Sequence, residues 1–269
     1  MQEKVDLYNT AYDNFAKDVV RQVRAESFGE DLGQTGWMTA TEYRGFLELL
    51  ELKPGAQVLE VGFGAGGCAL YAAETAGVQV TGIDINENAL RTARQLAASK
   101  GLESQVRFER MDASQALPFS DGAFDAIFSN DAICHLAGRP AVLNEWRRVL
   151  KSGGRLLFTD PLIVTGTLSN EELAVRTSIG FYLFLPAGEN ERLIREAGFE
   201  LLRADNLTAS AETIAKKRHD SRDRHKDGLI KIEGEANFHG IQKFLACVHT
   251  VAKERRLSRY AFLAQKSPL

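Results

Sequence analysis

Apolar and polar positions change their period several times along the chain, and each change marks an element. Near the start Val19, Val20 and Val23 fall on one face of a helix, ahead of a glycine-punctuated stretch from Phe28 to Met38. A second helix, about Glu42 to Leu52, is stopped by Lys53-Pro54-Gly55. From Ala56 compact apolar runs alternate with helical ones. Strands are predicted at Gln57–Phe63, Val78–Ile85, Val106–Met111, Phe124–Ser129, Arg155–Thr159, Phe199–Asp205 and Arg259–Gln265. A helix follows the first strand to about Ala76, and Asn86 caps another that reaches Lys100. Pro140 opens a third, with Val142, Leu143, Trp146, Val149 and Leu150 on one face and Gly153-Gly154 ending it. Asn190–Ala197 is a fourth. Strands separated by helices of this length demand a parallel, doubly wound sheet.

That pattern divides the chain into a helical cap over 1–53 and an α/β domain over 54–269. A charged, helical insertion at about 208–257 precedes the last strand. Cap and insertion are both candidates for a lid over the carboxyl edge of the sheet, where such folds bind ligands.

Composition changes the picture mainly by exclusion. A net charge of −3 over 269 residues gives no global pull toward nucleic acid or anionic lipid. The start carries no basic region followed by an apolar core, and runs such as Phe181–Leu185 are far too short to span a bilayer. Cys68, Cys134 and Cys247 have no metal-binding spacing and read as small buried hydrophobes in a reducing compartment. The expectation is a cytoplasmic protein with no nucleic-acid, membrane or metal partner; its oligomeric state is not readable. The basic run Lys216–Lys226 contains Asp220 and Asp223 and no aromatic residue. It reads as a solvated helix, with a lid that attracts an anionic substrate as the alternative.

The sharpest chemical signal is Val58-Leu-Glu-Val-Gly-Phe-Gly-Ala-Gly-Gly67, a buried strand running into Gly62, Gly64 and Gly66. Glycines there permit a tight turn and close approach of a ligand to the backbone. Asp84 ends the next strand 22 residues after Gly62, where a carboxylate can accept both hydroxyls of a ribose. Gly62, Gly64 and Gly67 also satisfy G-x-G-x-x-G, so a nicotinamide-dependent oxidoreductase is an alternative. Glu60 suits a ligand bearing an ammonium group and would repel a pyrophosphate. Asp112, in Met111-Asp112-Ala113, places an acceptor where an adenine amino group would lie. Together these favour S-adenosylmethionine.

Residues from about 28 to 265 resemble the class I methyltransferases, in the branch of the phosphoethanolamine and sarcosine/dimethylglycine enzymes. The resemblance rests on Phe28-Gly-Glu-Asp31 with Thr35-Gly36, Glu60–Gly67, Gly82-Ile-Asp-Ile85 and Asp131-Ala-Ile-Cys-His-Leu136. It implies a Rossmann-like seven-stranded sheet with an N-terminal helical cap and a helical insertion before the last strand. It further implies S-adenosylmethionine held by Gly62, Gly64, Gly66, Asp84 and Asp112, with Ile85, Ala113 and Asn130 beside them. The segment Gln34-Thr35-Gly36 closes over that cofactor and brings Gln34 or Trp37 to it.

His135, on the rim after the fourth strand, is the candidate base, since imidazole titrates near working pH. In the family the matching histidine pairs with a tyrosine of the N-terminal helix; Tyr12 or Tyr8 is the candidate here, Tyr12 being taken. Asp131 is placed to hold a cationic acceptor, and Tyr182 aligns with a pocket tyrosine. Arg176 is a candidate for an acceptor carboxylate, although an exposed helix arginine is the plainer reading. Gly180 and Leu263 stand where the family's arginine and lysine contact phosphate, which argues against phosphoethanolamine. The expected function is N-methylation of a small amine or amino acid, with O-methylation of a small metabolite as the alternative. A methyltransferase-like subunit that only binds the cofactor is the non-enzymatic reading.

Overall fold

The computed structural model describes residues 5–267. Its strands are β1 (Gln57–Val61), β2 (Gln79–Asp84), β3 (Val106–Arg110), β4 (Phe124–Ser129), β5 (Leu150–Val164), β6 (Leu185–Pro186), β7 (Phe199–Asn206) and β8 (Leu257–Lys266). Seven of them form one path in the order β3-β2-β1-β4-β5-β8-β7, and the two-residue β6 pairs with β5. The helices are α1 (Tyr8–Asp13), α2 (Asp18–Phe28), α3 (Ala40–Leu49), α4 (Gly67–Ala76), α5 (Glu87–Lys100) and α6 (Arg139–Val149). They continue with α7 (Asn170–Thr177), α8 (Glu189–Glu196), α9 (Thr208–Arg224), α10 (Lys226–Glu233) and α11 (Glu235–Lys253).

Alternating residues of the strands feed two core layers. Val58, Val80, Val106 and Phe128 pack with Tyr43, Phe46, Leu70 and Leu90 on one face. Leu59, Val61, Ile83, Ile127 and Phe158 pack with Leu143, Trp146 and Ile194 on the other. The first five strands are parallel, but β8 runs antiparallel to both β5 and β7, so the sheet is mixed. The reason is the insertion: β7 ends at the carboxyl edge, α9–α11 sit above that edge, and the chain must re-enter the sheet from there.

Two boundaries differ from expectation. The Gly153-Gly154 pair does not end a helix; α6 stops at Val149 and β5 starts directly at Leu150, with a register shift against β4. Helix α7 was not foreseen, although Ser169 and Glu172 form a capping box at its start.

Cap and insertion share a core of their own. Leu7, Phe28 and Trp37 pack with Ile214, Phe244 and Leu245, and Val23 packs with Leu229 and Phe238. Glu26 of α2 accepts from Ser221 and faces His225 Nε2 at 2.9 Å. Among the described residues no helix is long and apolar enough to cross a membrane.

Candidate functional site

A cavity of about 330 Å³ opens between the carboxyl ends of the strands and the joint lid. Its floor is the turn after β1. Gly62 sits at φ +76°, and a Cβ there would stand 2.3 Å from the Ala132 side chain, so only glycine lets the turn pack against Ala132. Gly66 is also left-handed, but its missing Cβ makes room for Ala93 and Phe108 rather than for a ligand. The missing Cβ of Gly64 makes room for Thr35 and Tyr12, so Gly64 and Gly66 shape the turn and do not themselves line the cavity.

At one end of the cavity lies Asp84. Its carboxylate accepts from the backbone N–H groups of Gly64 (3.0 Å) and Asn86 (2.9 Å), and burial raises its pKa. A carboxylate has about four acceptor positions, so capacity remains for two hydroxyls. Ile85, Asp112 and Ala113 complete this end. Asp112 accepts from the Ser114 hydroxyl (2.7 Å) and N–H (2.9 Å), which hold its pKa below the usual range.

At the other end three rings converge. His135, closing the short 3₁₀ turn Ile133–His135, has Nδ1 2.9 Å from the Phe181 carbonyl and Nε2 2.8 Å from the Tyr8 hydroxyl. A carbonyl can only accept, so Nδ1 carries the proton and Nε2 accepts from Tyr8. The Tyr182 hydroxyl lies 3.3 Å from that of Tyr8, and its ring stacks on His135 at 4.5 Å. Desolvation lowers the His135 pKa and raises that of Tyr8.

The tyrosine that meets His135 is thus Tyr8, not Tyr12. The two are four residues apart and share a face of α1, but Tyr12 lies one turn further, toward Asp84 and Thr35.

Several other expected residues have different work. Asp131, at φ +53°, accepts from the Trp37 N–H (2.8 Å) and from Arg259 Nε (2.8 Å), and its Oδ1 lies 2.7 Å from the Thr159 hydroxyl. Its charge is matched inside the protein and is not free for a cationic acceptor. Arg259, fully buried, also reaches Glu42 (3.2 Å) and Asn130 (3.0 Å), which holds the cap to the rim of β4. It was missed because a charged residue opening an apolar strand reads as a boundary.

Arg176 is 2% exposed, against the expected solvent position. Its guanidinium lies over Phe244 (4.9 Å) and Tyr182 (5.5 Å), behind the cavity wall. Its Nε and Nη1 have no hydrogen-bond partner among the described residues. Glu60 is on the α3–α5 side of β1, beneath the turn and out of the cavity. Burial, and then the charge of Asp84, push its pKa up to about 8, and its Oε2 has no partner. It therefore does not present a charge to a ligand.

Gln34 also misses the cavity. Its amide is spent within its own loop, accepting from Leu32 N–H (2.6 Å) and donating to the Glu30 carbonyl (2.9 Å). Thr35, Gly36 and Trp37 line the cavity in its place. Leu263 is buried in the core, so the family's phosphate-binding lysine has no counterpart at that position; Gly180 does line the cavity. Arg218 of α9, which the sequence did not single out, lines it too.

Residues 59–158 match the family model described as a methyltransferase domain. The chain is 34% identical over 203 residues to phosphoethanolamine N-methyltransferase 3 of Arabidopsis thaliana, covering 76% of this chain and 40% of that protein. It is 31% identical over 198 residues to sarcosine/dimethylglycine N-methyltransferase of Halorhodospira halochloris, covering 70% of this chain and 65% of that one. The chain thus spans about two fifths of the length of the plant protein. Phosphoethanolamine N-methyltransferase 2 of Haemonchus contortus, solved with phosphomonomethylethanolamine and S-adenosylhomocysteine, superposes with a TM-score of 0.79 at 22% identity, over 97% of this chain and 60% of that one. The [4+2]-cyclase SpnF superposes with a TM-score of 0.73 at 23% identity, over 100% of both chains. At these identities the two structures speak for the fold, not for the reaction.

Proposed function

We propose, from the match of residues 59–158 to a methyltransferase-domain model, that this chain transfers the methyl group of S-adenosylmethionine to the nitrogen of a small amine or amino acid. The observation that carries the reading is one cavity with two unlike ends: Gly62, Asp84 and Asp112 at one, and the Tyr8–His135–Tyr182 cluster at the other. The first end fits the cofactor, because Gly62 lines it with no side chain and Asp84 keeps acceptor capacity for a ribose. Asp112 and Ala113 would flank the adenine. Bound there, the cofactor supplies a methyl group activated by its sulfonium sulfur.

The chain's own residues align the acceptor, exclude water and move one proton. An acceptor arriving as an ammonium ion must lose a proton before its lone pair can attack. That proton passes to the Tyr8 oxygen as the Tyr8 proton passes to His135 Nε2, leaving an imidazolium whose Nδ1–H stays on the Phe181 carbonyl. Desolvation keeps His135 neutral at neutral pH, as this step requires. The lid formed by the cap and residues of about 208–257 closes the site from solvent.

Isothermal titration with S-adenosylhomocysteine, beside NADH and NADP⁺, tests the premise, followed by mass-spectrometric screening of amines, amino acids and phenols for methyl gain. Binding of the homocysteine product alone, with an amine methylated, is expected. A nicotinamide signal without one from the homocysteine product would refute it. Tight product binding with no methylated acceptor would refute it as well.

A further inference from the structure

The basic run on α9 is not uniform. Lys216 pairs with Asp220, Arg222 with Glu233, and Arg224 with Glu26. Arg218 pairs with no carboxylate among the described residues. It turns into the cavity, donates Nη1–H to the Thr35 carbonyl at 3.2 Å, and lies 5.6 Å from the centre of the Trp37 ring. Desolvation lowers its pKa only to about 10, so it stays cationic.

The charges around it leave it uncompensated. The acids lining the cavity are Asp84 and Asp112 at the far end, and Asp131, already paired with Arg259. Half-buried cations are retained at a cost unless an anion meets them. The Thr35 that Arg218 holds also lies against the turn, its hydroxyl 2.9 Å from where a Gly64 Cβ would stand. Arg218 therefore lines the cavity beside the Thr35–Trp37 segment. One of its five N–H donors serves Thr35, and the remainder suit a two-pronged grip on an oxyanion.

We propose that Arg218 is the oxyanion anchor of this cavity and grips a carboxylate of a bound ligand. The inference rests on the methyltransferase reading, which offers two sources of that carboxylate: the methionine arm of the cofactor and an acidic acceptor.

The test uses Arg218→Gln and Arg218→Lys beside the wild type. Titrations employ S-adenosylhomocysteine and 5′-methylthioadenosine, which lacks the amino-acid arm. Turnover employs sarcosine and dimethylamine, its counterpart without the carboxylate. Loss of a charge-assisted contact is expected to weaken one interaction by about tenfold to a hundredfold. Weakened homocysteine-product binding in the Gln variant, with methylthioadenosine unchanged, assigns the cofactor carboxylate. Unchanged cofactor binding with a raised KM for sarcosine but not for dimethylamine assigns the acceptor. In both cases Arg218→Lys recovers part of the loss.

Equal weakening of both nucleoside ligands, or no change in any of the four measurements, would overturn the anchor. So would a Gln variant that melts several degrees lower and loses everything together while Arg218→Lys does the same. Failure of the wild type to bind the homocysteine product sinks the methyltransferase reading instead, and is seen before any variant is made.

Discussion

Replacing Glu60 by glutamine should stabilise the protein, and increasingly so as the pH rises. Glu60 lies buried in β1 with Oε2 unpartnered, and its pKa moves from 4.5 in the ordinary case to about 8 in the fold. The folded state thus keeps a proton that the unfolded chain releases. The associated stability is fully present below about pH 4.5 and is lost as the pH climbs through about 8. One pKa unit corresponds to about 1.4 kcal/mol, so between about pH 5 and pH 7 this single group removes about 2 kcal/mol. Glutamine has the same shape and does not titrate. Urea unfolding of both proteins without ligand, at the two pH values, reads the difference, and other titrating groups cancel in it. The gap should widen by about 2 kcal/mol in favour of the variant at the higher pH. A constant gap would mean that Glu60 ionises as freely as in water. A gap that narrows would mean an anion stabilised in place, and would restore Glu60 as a charge held for the cofactor.

Tyr8→Phe and His135→Asn should each lower kcat by about 10²–10⁴-fold with the homocysteine product bound as before. Tyr12→Phe should cost far less; equal losses at both tyrosines would undo the assignment of Tyr8. Because desolvation depresses the His135 pKa, the residue stays neutral and competent until the pH drops below the ordinary histidine range. The acid limb of the kcat/KM profile should therefore fall below about pH 6.5, and a limb above that value would exclude His135 as the proton acceptor. Arg259→Met should destabilise the fold by about 3–5 kcal/mol in urea, since it strands the Asp131 carboxylate in a dry site. A loss within about 1 kcal/mol would show that Asp131 is held by Trp37 and Thr159 alone.

The readable parts of the site are those whose cause is local. The turn after β1 declares itself because a buried strand and the left-handed positions at Gly62, Gly64 and Gly66 lie close together, and Asp84 ends, and Asp112 closely follows, a strand that can be counted from it. The choice between Tyr8 and Tyr12 is not local. Both share one helical face, and which of them meets His135 depends on how α1 seats on a rim more than 120 residues away in sequence. Glu60 fails for a related reason: a strand's period tells which residues share a face, but not which layer will cover that face.

The charges make the sharper case. Asp131 looked functional because it follows the fourth strand and is similar to a substrate-contacting acid of the resembled family, yet its partner is Arg259, 128 residues on. Arg218 looked idle because acids lie near it on the same helix, yet Asp220 serves Lys216 while Arg218 turns toward Thr35 and the cavity. A charge becomes available for a ligand only when the folded protein leaves it unmatched. That is a property of the whole arrangement of pairs, which explains why motif reading found the glycine turn with Asp84 and Asp112 and misjudged the charges of Glu60, Asp131 and Arg218.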